Sequence, residues 1–340
     1  MTRGGLLALL LWVGLVPSAC HFPGHSSELA TASEDVRCRE AGPRIPLPAE
    51  VRESSGAVEA LSWPGALIWT HNDSGHTPHL FAVADDGALV GRVRVAGAAN
   101  VDWEDMAASP CPFAGEATGV AGAGARGGAG TRGQRCLYIG DVGDNRERRP
   151  ALDLYRVPEP GGAADTLSAP ATHWAIRMPH GPRDIESLHV LEGERVFLVT
   201  KGRNDPVELY ALPAPLPAGV EAGSGAPPDT LEAVRIQLLA DEPPSFGRLV
   251  TGSSARTDEE GRADLVAIRT YETLQFHRPR ADGRLEPLHD GPVNLRPLRE
   301  VQGEAVTFLS DGRILLTSEA GPGMRRGSMQ AIRCQVPGVE

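Results

Sequence analysis

Five residues able to bind or polarise an oxygen-bearing ligand recur in one frame: Ser55, Glu104, Glu186, Thr251 and Glu304. Each sits near the start of a short motif that leads into a strand. The motifs read Glu53-Ser54-Ser55-Gly56-Ala57, Val101-Asp102-Trp103-Glu104-Asp105-Met106, Asp184-Ile185-Glu186-Ser187-Leu188, Val250-Thr251-Gly252-Ser253-Ser254 and Gln302-Gly303-Glu304-Ala305-Val306. If the fold brings them together, three carboxylates meet, and they repel one another unless protonated or neutralised. A hard cation resolves this, and Ca²⁺ accepts ~6–8 oxygens in flexible geometry. Mg²⁺ demands a tighter octahedron than a five-fold ring supplies. Zinc wants His or Cys, which the frame lacks. The alternative is a structural channel filled by hydrogen-bonded carboxyls and water. Ser253 competes with Thr251 for the fourth position.

The positioning elements repeat with the motifs. A Gly-containing turn follows each, then an apolar strand with a polar end: Leu67-Ile68-Trp69-Thr70-His71-Asn72-Asp73, Leu137-Tyr138-Ile139-Gly140-Asp141, Val196-Phe197-Leu198-Val199-Thr200-Lys201, Leu265-Val266-Ala267-Ile268-Arg269 and Ile314-Leu315-Leu316-Thr317-Ser318-Glu319. The axial positions are about 49, 82, 65 and 53 residues apart, and residues 119–133, almost all Gly, Ala, Arg and Thr, account for the longest interval as a flexible insertion. The remainder matches the ~40–50 residues of a four-stranded propeller blade. The expectation is an all-β, five-bladed β-propeller, with six blades as the alternative if the second interval is split. Outer strands are expected at Leu80-Phe81-Ala82-Val83, at Leu152-Asp153-Leu154-Tyr155, and at Glu232-Ala233-Val234-Arg235-Ile236-Gln237 in blade three. A strand within residues 36–47 would complete the last blade beside Ser328-Met329-Gln330-Ala331-Ile332-Arg333.

In a propeller the first strand of each blade lines the channel and the second runs antiparallel to it. First-strand starts and second-strand ends therefore open on one face, which is the default site. Candidate groups for catalysis on that rim are Asp73, Asp141 and Asp144 as bases orienting water, with Lys201, Arg203 and Arg269 as cations suited to a phosphorylated ligand. A cationic rim of this kind argues against a lactonase-type hydrolase. No Gly-x-Ser-x-Gly elbow supports a nucleophilic triad.

The order hydroxyl, Glu, Glu, hydroxyl, Glu around five blades resembles the calcium-dependent apyrases, five-bladed propellers that hydrolyse nucleoside di- and triphosphates. The resemblance implies Ca²⁺ held in the channel by Ser55, Glu104, Glu186, Thr251 and Glu304, the fourth being Thr where that family has Ser. Phe197-Leu198-Val199-Thr200-Lys201-Gly202-Arg203 and Val266-Ala267-Ile268-Arg269 are also similar. The set His71-Asn72-Asp73-Ser74-Gly75, Asp102-Trp103-Glu104-Asp105 and Gly143-Asp144-Asn145 resembles a group of secreted bacterial propeller lipoproteins without an assigned activity. A non-catalytic module that binds a ligand or protein at the rim is the alternative to a hydrolase.

Residues 1–19 read as an export signal: Arg3, an apolar run over 6–16, then Pro17-Ser18-Ala19-Cys20. The run is too short to span a bilayer, which takes ~20 residues. Cys20 fits a lipid-anchored N-terminus, with plain secretion as the alternative, and residues 20–35 a tether to a domain at 36–340. The expected place is therefore the cell envelope or the outside, with membrane contact only through that lipid. Four other cysteines remain, consistent with an oxidising compartment. Cys38 and Cys334 are placed to lock the ring, and Cys111 and Cys136 fall on neighbouring strands of blade two. A net charge of −11 with no basic–aromatic interleaving argues against nucleic acid. A monomer binding a small anionic ligand is expected.

Overall fold

The computed structural model describes residues 28–29, 36–63, 65–112, 134–162, 166–257, 262–321, 323 and 326–338. The proposed signal, Cys20, most of the tether and the insertion at 119–133 lie outside the described residues. Five separate sheets surround one channel. Their inner strands are Ser54–Glu59, Trp103–Pro110, Ile185–Leu191, Val250–Thr257 and Gly303–Phe308. Each packs against the inner strands of its two neighbours, the fifth against the first. The protein is a five-bladed propeller.

The continuous apolar runs of the second strands have a simple cause. Side chains alternate across a strand, and here both faces are buried. In blade one, Trp69, Leu80 and Ala82 pack toward blade two, while Ile68, Phe81 and Val83 pack toward blade five. The same division gives a separate apolar core to each of the five joints between blades. Buried polar groups reinforce the joint between blades one and two. There Glu159 accepts bonds from Leu61 N at 3.0 Å and from the Trp69 indole at 3.2 Å.

One feature recurs in every blade. Each inner strand carries a β-bulge at the same level, seen as a register shift at Ser54/Ala57, Trp103/Asp105, Ile185/Ser187, Val250/Gly252 and Gly303/Val306. A bulge adds an unpaired residue and re-aims its side chain. Ser55, Glu104, Glu186, Thr251 and Glu304 all fall within these bulges.

The ring closes through the N-terminal segment. Arg37–Glu40 pairs antiparallel with Ser328–Gln335, placing Cys38 opposite Cys334, and the two are disulfide-bonded. Cys111 and Cys136 form the second bond. Two outer edges are covered by chain from the next blade, which the sequence did not indicate. Thr166–Pro170 runs parallel to Leu89–Ala96 of blade one, and Asp229–Glu232 runs parallel to Thr172–Arg177 of blade two. Glu232 thus belongs to the edge of blade two, and blade three's outer strand is Val234–Leu238. Because Cys38 and Cys334 are separated by 296 residues, replacing both by Ser should cost about 2–4 kcal/mol in a reversible denaturant titration. Loss of less than ~0.5 kcal/mol would show that the bond does not hold the ring.

Candidate functional site

The site grows from two rings of side chains at the channel mouth. The first is the bulge ring. Ser55 Oγ donates to Glu104 Oε2 at 3.3 Å, and Thr251 Oγ1 donates to the Glu304 carbonyl at 3.0 Å. Glu186 is ion-paired with the Lys201 ammonium, and Glu304 Oε1 accepts from Gln302 Nε2 at 2.8 Å. Thr251, not Ser253, holds the bulge position. Ser253 bonds elsewhere, to Ser187 Oγ at 3.0 Å and His189 Nδ1 at 3.1 Å.

The second ring is formed by residues that directly follow the second strands: Asp73, Lys201, Tyr271 and Glu319. Their backbone N–H groups bond Glu53, Asp184, Leu249 and Gln302 carbonyls, so register fixes their height. The residue just before each exit has a different task. Asn72 Oδ1 accepts from Arg52 N and Glu53 N, Asp141 from Val101 N and Asp102 N, and Ser318 Oγ from Val301 N and Gln302 N. These side chains fasten the loops leading into the inner strands of blades one, two and five.

That distinction sorts the candidates drawn from sequence. Asp73, Lys201 and Arg203 stand at the mouth. Asp141 is committed to two backbone N–H groups and to Arg149 Nη1 at 2.8 Å. Asp144 accepts from Arg148 N and Arg149 N, closing its own turn. Arg269 is wholly buried, not on the rim. Its Nη1 donates to the Ala305 and Thr317 carbonyls at 2.7 and 3.1 Å, and its Nη2 meets Glu300. A Cβ on Gly303 would lie 1.9 Å from that Nη2, so glycine makes the room.

The mouth is strongly acidic. Oxygens of Asp73, Asp102 and Glu104 lie within 4.8 Å of one another. Nearby, Asp184 Oδ1 accepts from Asp144 N at 2.9 Å, while its buried Oδ2 has no hydrogen-bond partner among the described residues. A Cβ on Gly143 would fall 2.2 Å from Glu104 Oε1 and 2.5 Å from the Asp102 carboxyl, so only glycine lets the chain pass beside them. Burial, then the charge of Asp73, lifts the Asp102 carboxyl to about 7. Burial lifts Glu304 to about 7 and, with Glu304 and Asp73 alongside, Glu319 to about 8. Burial and Glu186 push Glu104 well above the carboxylate range. Burial opposes the Lys201 ammonium, but Glu186, Tyr271, Glu104 and Asp184 outweigh it and keep it protonated.

The oxygen-only donor set fits a hard divalent cation such as Ca²⁺. The structure differs from the axial arrangement expected from sequence in one respect. Lys201 already neutralises Glu186, and the compact carboxylate group lies toward blades one and two, with Asp73 and Asp102 joining Glu104. Asp102, two residues before Glu104 in its motif, was not among the candidates drawn from sequence. Below the mouth, Asp105 accepts from Met106 N, Leu188 N and Ser253 N at 2.8, 2.9 and 3.1 Å, tying together the inner strands of blades two, three and four.

No family model matches this chain, and no curated protein does. Among solved structures, the PQQ-bound aldose sugar dehydrogenase of Streptomyces coelicolor is similar with a TM-score of 0.46 at 11% identity, over 89% of this chain and 100% of that one. Regucalcin from Agrobacterium tumefaciens aligns with a TM-score of 0.40 at 15% identity, over 85% and 94%. A gluconolactonase, XC5397 of Xanthomonas campestris, gives 0.38 at 13% identity, over 90% and 95%. None of the three is an apyrase, and at this distance none carries its activity to this chain.

The raised carboxyls make stability depend on pH in a defined direction. Between their ordinary values, 3.8 for Asp and 4.5 for Glu, and about 7–8, the folded chain keeps protons that the unfolded chain has released. Stability therefore falls as pH rises through that window. Without divalent cations Tm should drop between pH 5 and pH 8, and millimolar Ca²⁺ should raise it most at pH 8. Scanning calorimetry with chelator and with Ca²⁺ checks both; a Tm independent of pH and Ca²⁺ would contradict this account of the mouth.

Proposed function

We propose that this chain is an exported propeller hydrolase that depends on a divalent cation held at Asp73, Asp102 and Glu104, and that it acts on small, neutral, lactone-type esters. The observation that carries the reading is the approach of those three carboxylates within 4.8 Å at the end of a polar channel. When bound there, a cation polarises a substrate oxygen and lowers the pKa of coordinated water. The chain's own residues supply the rest. Gly143 keeps the backbone clear of Asp102 and Glu104, and Glu319, lifted to about 8, can take or give a proton at neutral pH.

Charge decides between substrate classes. The cationic rim that favoured a phosphorylated ligand is depleted. Arg269 lies between blades, Lys201 is engaged by Glu186, and Arg183 is paired with Asp205 and Glu208. Half-exposed Arg203, with Nη2 on Asn145 Oδ1 at 2.9 Å, is the observation that keeps phosphoester hydrolysis as the second reading. Arg203 also stands 4.0 Å from Asp184 Oδ2, and a polyanion would still meet Asp73, Asp102 and Glu319. The two disulfides support placement in an oxidising compartment, and we place the chain in the cell envelope as a monomer, lipid-anchored at Cys20.

The test uses the oxidised protein with and without Ca²⁺ against γ-butyrolactone, 3,4-dihydrocoumarin, ADP and p-nitrophenyl phosphate. Ca²⁺-dependent opening of the lactones is expected, and Glu104→Gln should lower kcat/KM by at least about 100-fold. Phosphate release without lactone opening would move the assignment to the apyrase-like reading. Ca²⁺ binding with no turnover on any of the four would leave a binding module.

A further inference from the structure

The mouth has two unlike halves. Blades one and two supply Asp73, Asp102 and Glu104. Across from them blade four supplies an aromatic pair: Phe246 and Tyr271 lie with ring centroids 5.0 Å apart and planes inclined by 22°. Phe246 is 72% exposed, the most exposed of the large apolar residues described. Tyr271 is half-buried beside it. Its phenol sits close enough to Glu304, Lys201 and Glu186 to feel their charges, burial being the main cause of its raised pKa.

An exposed Phe on a loose loop means little, since scattered surface apolar residues are common. This one is held. Phe246–Arg248 forms a turn of 3-10 helix just before the inner strand of blade four. The Gly247 carbonyl accepts from Glu272 N at 3.0 Å and from Thr270 Oγ1 at 3.1 Å, while Leu249 N donates to the Phe246 carbonyl at 3.1 Å. A Cβ on Gly247 would lie 2.4 Å from the Glu272 carboxyl, so the turn is pressed against its neighbour. On the other side, Pro244 approaches Gly202, whose φ of +81° and contact with Val207 exclude a side chain. The ring is thus presented rigidly, with one face supported by Tyr271.

The geometry points to a stacking subsite: we propose that Phe246 and Tyr271 bind the planar ring of a small organic ligand whose polar end lies toward the carboxylates. This rests on the mouth being the binding site, as in the function proposed above, but not on turnover or on the metal. A fixed, supported aromatic face loses little entropy on binding and stacks best with another flat ring, in offset geometry. Lys201 lies between the two halves. It interacts electrostatically with Tyr271 on one side and with Asp73 and Glu104 on the other. Asp73, Lys201 and Tyr271 occupy equivalent exit positions of blades one, three and four, so the shelf and the acidic group open on one face, and a ligand joining them carries a ring and an oxygen-rich group.

The test compares ring-bearing and ring-free probes on the chelator-treated protein, in which the lactones are not opened, and reads the Ca²⁺ shift separately. By saturation-transfer NMR and calorimetry, 3,4-dihydrocoumarin should bind about 5–10 times more weakly to Phe246→Ala, a scale set by aromatic stacking, and Phe246→Trp should restore it. γ-Butyrolactone, which has no aromatic ring, should be insensitive to both variants. Adenosine, neutral and planar, should follow dihydrocoumarin; ADP separates a nucleotide from an aryl ester by its charge. The Ca²⁺-induced Tm shift should be the same in Phe246→Ala as in wild type. Equal affinity of wild type and Phe246→Ala for both ring-bearing probes would overturn the shelf. Absence of a Ca²⁺ shift in wild type alongside Phe246-dependent ring binding would sink the metal reading and leave the shelf standing.

Discussion

One extra residue in each inner strand governs what this propeller can do. A strand alternates its side chains, so a residue aimed into the channel ordinarily commits its neighbours at every second position as well. A bulge breaks that rule locally and turns one side chain toward the axis while the flanking residues keep their places in the joints between blades. With all five bulges at one level, Ser55, Glu104, Glu186, Thr251 and Glu304 meet in a space they share with few counter-charges. The rest of the mouth answers that crowding. Lys201 sits among the acids, Gln302 donates to Glu304, and Asp105 gathers three backbone N–H groups just below.

Much of this was written openly in the chain. The repeated frame identified the five blades, and the spacing of the cysteines both disulfides, because these follow from which strands must be adjacent. Thr251 over Ser253 needed the register, since both are hydroxyl residues in the same motif. The polar residues at the ends of the second strands were harder, because two neighbouring positions at the same end have different tasks. Asn72, Asp141 and Ser318 turn back to hold loops, whereas Asp73 and Glu319 face the mouth. Composition cannot separate them. Arg269 was read as a rim cation because arginine at a strand end usually reaches solvent. Gly303, far away in sequence, opens the space that draws it inward. The glycine was visible in the sequence, but its partner was not.

Tyr271 illustrates the reverse case. It occupies the same exit position as Asp73, Lys201 and Glu319, and the frame alone would have placed it at the mouth. Phe246 carried no such signal, being one aromatic residue in a loop with two prolines. Its importance comes from Tyr271 beside it and from the backbone bonds that hold Gly247. The acidic side of the mouth is a matter of repeated motif; the aromatic side is a matter of one loop unique to blade four.

The covering of outer edges by neighbouring chain divides the ring mechanically. Blades one and two are each bonded through main chain to a segment of the blade that follows, and blade five is cross-linked to the N-terminal strand. Among the described residues, blade four shares no strand with either neighbour. Its contact with blade three includes a side chain standing in for a strand, Gln237 bonding both Leu285 N and Leu285 O at 2.7 and 2.9 Å. Regions with fewer main-chain ties open first in native-state fluctuations. Blade four is joined instead by single bonds, Val250 N to the Lys201 carbonyl at 3.0 Å and Arg269 to the Ala305 and Thr317 carbonyls, and it is the blade that carries Phe246 and Tyr271. The mouth then has a wall of carboxylates set by the five-fold frame and a wall of rings set by blade four alone, so the aromatic side can change in sequence without disturbing the charged side.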